Sequence, residues 1–218
     1  MVMVAGAPAS PPPKSDPVDA TVASPVAPMH ASPAPAWRFE PSQSAIRFEL
    51  TAVRVVRVRG GFQRFEGEVA ALADGDYRVT VRIDAASLAM DSPRYDNWAR
   101  SDEFFDAGRH PQILFRSDAV PKQLLRRGGK LDGMLTLRGI TRAASFDIAP
   151  VDCPEGALSC ELAVTGEINR GQFGMRSRRM TLSERVRLDM RFLAMAPPFA
   201  TETDTVDQAE AAVDAARE

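Results

Sequence analysis

Apolar and polar residues alternate with a period of two through most of the stretch from residue 37 to residue 196. In "AIRFEL", Ile46, Phe48 and Leu50 fall on one face, and Arg47 and Glu49 on the other. "RVTVRID" repeats this with Val79, Val81 and Ile83, and "VRLDMRF" with Val186, Leu188, Met190 and Phe192. "SFDI", and more loosely "LDGMLTLRG" and "ELAVTGEI", follow the same rule. Such alternation gives each strand one dry face and one wet face, as in an antiparallel sheet. Asp74-Gly75 and Gly128-Gly129 supply the positive φ that tight hairpins need. The reading is seven to nine strands. A sheet of that size in about 160 ordered residues hides its edges by closing into a barrel.

One segment breaks the pattern. Ser92-Pro93 reads as a helix start, "RYDNWAR" as one or two helical turns, and Ser101 as the cap of a second short helix ending at Gly108 before Pro111. This predicts a helical crossover between two strands. It carries Trp98, Phe104 and Phe105 among Asp102, Glu103, Asp106, Arg109 and His110. The crossover reads as a lid over the barrel, with one phenylalanine ring inserted.

Strand parity puts Gly67, Gly133, Ala144 and Gly166 on the apolar faces. Small residues among large ones predict either vacant apolar volume inside the barrel or bulges and corners in its wall. In the first case an apolar guest is the natural occupant, because a cavity lined by aliphatic and aromatic side chains stays dry.

Composition adds boundaries. Residues 1–36 hold nine of the 17 prolines and read as a disordered Pro/Ala-rich segment, with no charged n-region followed by an apolar h-region. Residues 197–218 read as an acidic tail, which leaves 37–196 as the folded domain. That domain carries 25 Lys+Arg against 21 Asp+Glu, too weak an excess to argue for nucleic acid. Arg176, Arg178 and Arg179 in "RSRRM" form a basic rim suited to an anionic head group or transient contact with a membrane surface. Cys153 and Cys160 stand seven apart across "PEG", so a disulfide, and with it an oxidising compartment, is expected. His30 lies in the tail, so no metal site is expected.

Five blocks in order resemble the YceI-like family, the lipocalin-like polyisoprenoid-binding proteins of bacteria. They are "WRFEPSQSAIRF", "GGFQRFEGEV", "RSDEFFDAGRHPQILFRS", "LDGMLTLRGIT" and "GEINRGQFGM". Glu40 stands where the family often has Asp, and "TAVRVVRVRGG" lacks a histidine common in that region. The resemblance implies an all-β, eight-stranded antiparallel barrel with an apolar pocket for an isoprenoid or other long-chain lipid. It also implies a periplasmic or secreted protein, with no cofactor and no catalytic residue.

The candidate ligand contacts are Phe48, Phe62, Trp98, Phe104, Phe105, Phe115, Leu135, Leu137, Phe146, Phe173 and Met190. A homodimer is also considered. Two other readings compete with lipid binding. One is a small hydrolase or isomerase using His110 with Asp106, which requires both side chains to point into a pocket. The other is a solidly packed, stress-related interaction module, which requires a filled bore. Asn169 and Arg170 read either as ties to backbone or to a carboxylate, or as partners of a polar ligand head.

Overall fold

A computed structural model describes residues 36–153 and 157–196 of the 218-residue chain. The readings made of the proline-rich segment, His30, the Pro154–Gly156 turn and the acidic tail fall outside the described residues.

Three of the barrel's staves are broken in the middle. The first is β1 (Ala36–Phe39) followed by β2 (Ala45–Ala52), and the second is β3 (Val56–Phe62) followed by β4 (Phe65–Ala71). The third is β5 (Tyr77–Asp84) followed by β6 (Leu88–Met90). Five unbroken strands follow: β7 (Gln112–Ser117), β8 (Gly129–Leu137), β9 (Ile140–Ile148), β10 (Ser159–Asn169) and β11 (Arg185–Met195).

The breaks have local causes. Pro41 opens a 3₁₀ turn that the Glu40 carboxylate caps by accepting from the Ser42 N–H. Asp84 caps the turn between β5 and β6 in the same way, accepting from the Ala86 N–H at 2.8 Å.

Every neighbouring pair is antiparallel, and consecutive staves lie side by side. β11 closes the ring by pairing with both halves of the first stave, Arg38 opposite Met195 and Phe48 opposite Leu188. The result is a closed eight-staved up-and-down barrel, which leaves no long edge unpaired. The residues assigned inward by alternation face the bore. Ile46, Phe48, Val79, Val81, Leu131, Leu135, Phe146, Leu162, Val164 and Phe192 are all buried.

The helices differ from expectation. α1 (Asp96–Arg100) follows a 3₁₀ turn at Pro93–Tyr95, where Ser92 makes no side-chain cap. The second helix expected after Ser101 is instead a run of turns. Ser101 Oγ donates to the Trp98 carbonyl, and Asp106 takes a φ of 49°, which a helix does not permit. A helix the alternation did not foretell, α2 (Lys122–Arg127), joins β7 to β8. Gly128 ends it at a φ of 73°, so Gly128-Gly129 terminates a helix and is not a tight hairpin. The β8–β9 hairpin is made by Arg138 and Gly139, at φ of 53° and 70°, as a two-residue turn with both centres left-handed requires.

The small inward residues do not create the cavity. A Cβ on Gly67 would stand 2.1 Å from the Phe39 ring, and one on Gly166 would stand 2.5 Å from Phe146. A Cβ on Gly133 would run into the backbone of β7 at Arg116. The volume these glycines give up is taken by neighbouring phenyl rings and a neighbouring strand. Neither reading offered for these three glycines holds: the volume is not vacant, and all three keep unbroken ladder register instead of forming bulges, their role being close approach of a ring or a neighbouring backbone.

Candidate functional site

The barrel has two unlike ends. The base end carries the β4–β5 turn, α2 and the connection that holds Cys153 and Cys160. The two cysteines are joined with their Cα atoms 5.5 Å apart. The opposite, lid end carries the β2–β3 turn, the crossover of residues 91–111, the β8–β9 hairpin and the β10–β11 connection.

Between the ends lies an apolar cavity of about 110 Å³. Its wall runs from Phe39, Ile148 and Leu162 towards the base to Phe104, Phe105, Leu137 and Met175 at the lid. Arg170 is the one polar residue in that wall among the described residues. The bore is thus neither solid nor wide. An apolar cavity of about 150 Å³ is known to hold benzene, while pockets for drug-sized ligands run to roughly 300–1,000 Å³. A long chain would enter only if wall side chains moved. Met175 and Met190, unbranched and adaptable, are suited to that.

Nine of the eleven residues proposed as ligand contacts lie in the wall: Phe48, Phe62, Phe104, Phe105, Phe115, Leu135, Leu137, Phe146 and Met190. Trp98 and Phe173 do not. Trp98 sits half-exposed on the outer side of the lid, its ring 4.3 Å from that of Phe104 and its Nε1–H donating to Glu103 at 3.0 Å. Phe173 is buried in the 3₁₀ turn Arg170–Phe173, away from the cavity.

The lid closes by packing. Phe105 lies edge-on to Phe62 at 5.5 Å and tilted against Phe48 at 5.9 Å, and Phe104 is buried beside it. Two anchors hold this arrangement. Arg138 Nη1 donates to the Phe104 carbonyl at 2.6 Å, and Arg100 donates to the Leu88 carbonyl from both Nε and Nη2. Arg138 was not singled out from the sequence, although the Arg-Gly dipeptide between two alternating runs signals the turn that aims it.

Beneath the lid, Arg170 is fully buried and donates to four carbonyls. Nε reaches Ser183 at 2.9 Å, Nη1 reaches Met175 at 2.7 Å and Ser177 at 2.9 Å, and Nη2 reaches Leu182 at 3.2 Å. Burial draws its pKa below the usual guanidinium value, and Glu184 opposes that. Arg170 therefore ties the β10–β11 connection into a platform, with its charge spread over neutral backbone acceptors. Asn169 caps the adjoining turn, accepting from the Gly171 N–H at 2.8 Å. The platform also fills a gap in the wall. β9 and β10 pair over only three positions, from Val164–Ile148 to Gly166–Phe146, and Gly174 comes up against Ile140 beyond them.

Asp106 and His110 do not meet in a pocket. The Asp106 carboxylate is buried against Arg109 at 3.0 Å, with Arg138 at 3.9 Å and the His110 Nε2 at 3.8 Å. The His110 N–H donates to the Asp106 carbonyl at 2.8 Å. Neither residue reaches the cavity wall. The cluster stitches the lid to the β8–β9 hairpin, and the geometry that the hydrolase reading required is not present.

A family model described as a YceI-like domain matches residues 37–194. The UPF0312 protein SAB2563 of Staphylococcus aureus is 28% identical over 150 residues, which covers 64% of this chain and 81% of that protein. Among solved structures, BcnA of Burkholderia cenocepacia superposes with a TM-score of 0.63 at 19% identity, covering 72% of this chain and 99% of that one. A polyisoprenoid binding domain from Saccharophagus degradans gives 0.58 at 14%, covering 75% and 99%. The YceI protein of Campylobacter jejuni gives 0.56 at 22%, covering 66% and 88%. At these identities the structures report a shared fold.

Proposed function

The chain belongs to the YceI-like family, and from that premise we propose that it binds an apolar isoprenoid chain, of polyprenyl or prenyl-quinone type, as a carrier or sequestering protein that performs no reaction on it. The observation that carries this reading is the apolar wall of the bore, in which Arg170 is the one polar residue and no carboxylate or histidine appears among the described residues. Such a wall recognises length and thinness, not functional groups. Each buried CH₂ contributes about 0.8 kcal/mol, so one five-carbon unit contributes roughly 3–4 kcal/mol before ordering costs. The small resting volume fits a branched thin chain that replaces side-chain contacts as Phe105, Met175 and Met190 move aside. The polyisoprenoid-binding neighbour supports the ligand class. The joined cysteines support an oxidising compartment, periplasmic or extracellular.

The test is native mass spectrometry of the purified protein, with and without a dispersed prenyl quinone. It is paired with Val164→Phe, a substitution that directs a ring into the cavity from β10. The expected result is a one-to-one quinone complex for the natural protein and a loss of at least about ten-fold in uptake for the variant. Protein that is ligand-free and takes up no quinone would overturn the proposal. So would uptake that the variant leaves unchanged while its fold is intact.

A further inference from the structure

Two loops at the lid end expose apolar side chains in a way the interior does not require. In the β2–β3 turn Val53 and Val55 are 57% and 80% exposed, Val56 at the start of β3 is 51% exposed, and in the β10–β11 connection Met180 is 96% exposed. Single exposed apolar residues are ordinary, but these four are neighbours. The Val53 N–H donates to the Thr181 carbonyl at 2.6 Å, the Ser183 N–H donates to Thr51 at 2.8 Å, and Ala52 bridges Leu182. The two loops form one continuous tip. Val53 also holds a φ of 42°, which a β-branched residue rarely adopts and which Gly or Asn would adopt without strain. The chain keeps an exposed valine at a position that disfavours it.

The charge around this tip has one dominant sign. Residues 52–57 and 176–184 contain Arg54, Arg57, Arg176, Arg178 and Arg179 against a single carboxylate, Glu184. Arg179 pairs with Glu184 at 3.1 Å, Arg57 approaches Glu49 at 3.7 Å, and Arg178 approaches Glu103 at 3.5 Å. Arg54 and Arg176 have no ion-pair partner among the described residues. An apolar tip flanked by two arginines free of ion pairs is what an interfacial anchor needs, with side chains that enter the acyl boundary and guanidiniums that meet lipid phosphates. The tip also touches the lid. Arg178 lies 5.2 Å from the Trp98 ring, and Trp98 packs on Phe104.

We propose that these two loops dock the lid end of the barrel on an anionic lipid bilayer, with Val55 and Met180 inserted and Arg54 and Arg176 on the phosphates. The docked orientation turns the lid, and not the disulfide end, towards the membrane. This goes beyond the cavity reading and does not depend on which guest the bore accepts.

The test is co-sedimentation of the full chain with vesicles of phosphatidylcholine alone, or with about one quarter phosphatidylglycerol, at low salt and at about 0.5 M salt. The expected result is binding to the anionic vesicles only, reversed by salt. Arg54→Gln with Arg176→Gln should lower the partition coefficient roughly 25-fold, at about five-fold per arginine. Val55→Ser with Met180→Ser should lower it by about ten-fold or more. Leu158→Ser, a change at an exposed apolar residue of the base end, should leave it unchanged.

As a check that needs no loop variant, brominated acyl chains should quench Trp98 in a Trp37→Phe protein, but not Trp37 in a Trp98→Phe protein. Absence of binding to anionic vesicles would overturn the proposal. So would equal binding to the zwitterionic vesicles, unchanged binding of either loop pair, or loss of binding in Leu158→Ser. Quinone uptake by the same samples reads the cavity alone, so failure of docking and failure of the lipid-carrier reading are separate results.

Discussion

Arg138 Nη1 donates to the Phe104 carbonyl at 2.6 Å from a turn position where its own φ is 53°. The strained turn of the β8–β9 hairpin thus serves as the bracket that holds the lid. Replacing Arg138 with Gln removes the bond and one of the cations beside the buried Asp106 carboxylate. The expected cost is about 1–3 kcal/mol, the range for leaving a buried acceptor unsatisfied. It should concentrate in the crossover, so amide exchange over residues 99–107 should accelerate by more than exchange in β8 or β10. Equal protection in the two proteins would show that packing of Phe104 and Phe105 alone closes the barrel.

The disulfide predicts a difference that chemistry can read directly. Alkylation of the unfolded, unreduced chain should modify neither Cys153 nor Cys160, and two modified thiols would refute the pairing. The closed loop is short, so reduction should cost only about 2.5 kcal/mol by loop-closure entropy. The loss should appear as a lower urea midpoint with the base of the barrel loosened and the lid unchanged.

The inward faces of β2, β5, β8, β9, β10 and β11 were legible in the sequence, because a half-buried strand writes its geometry as a period of two. The lid aromatics were legible for a related reason, as two phenylalanines in a segment that breaks that period. What the pattern missed depends on partners in space. Parity placed Gly67 and Gly166 inward but carried no information that Phe39 and Phe146 would turn over them. α2 is six residues long, too short for helical periodicity to register, although Pro121 and Gly128 bracket it. The role of Arg138 follows from the crossover arriving beside the β8–β9 turn, a contact 34 residues apart in the chain. Arg170 was legible as a tie to backbone or to a carboxylate, with a polar ligand head as the alternative, because its planar set of donors suits each of these. Only the fold shows that four carbonyls await it.

Acid should weaken the barrel through carboxylates on its outer wall. Asp84 is held below the usual aspartate pKa by its hydrogen bond from Arg64, against a partial penalty from burial and with help from the Ala86 N–H. Glu49 is lowered by its bond from Arg59, and Glu40 by Ser42. Because the folded pKa values are depressed, the stabilisation is present above the unfolded values, near pH 4, and is lost as pH falls through the folded ones. Stability should therefore hold between about pH 7 and pH 5 and decline below about pH 4. Asp84→Asn should start lower at neutral pH and decline less. A parallel decline in both proteins, followed by urea midpoints, would remove Asp84 from the account.

Arg170 makes the sharpest stability prediction, because two of its four acceptors, the carbonyls of Met175 and Leu182, are bonded in buried surroundings. Methionine has similar length and would suit the apolar surroundings, yet it would leave the carbonyls of Met175, Ser177, Leu182 and Ser183 without their donor. At about 1–3 kcal/mol for each of the two buried carbonyls left unsatisfied, the expected loss is at least about 2 kcal/mol. Removal of a buried charge returns some desolvation energy, which keeps the loss below the full sum. Lysine should rescue only in part, since a compact ammonium cannot span four acceptors that a planar fork reaches. The measurement is the urea midpoint at unchanged slope, with near-ultraviolet circular dichroism to follow the aromatic lid. A methionine variant as stable as the natural protein would mean that the β10–β11 connection is held by its backbone bonds to the β2–β3 turn, and that the arginine under the lid is free for another task.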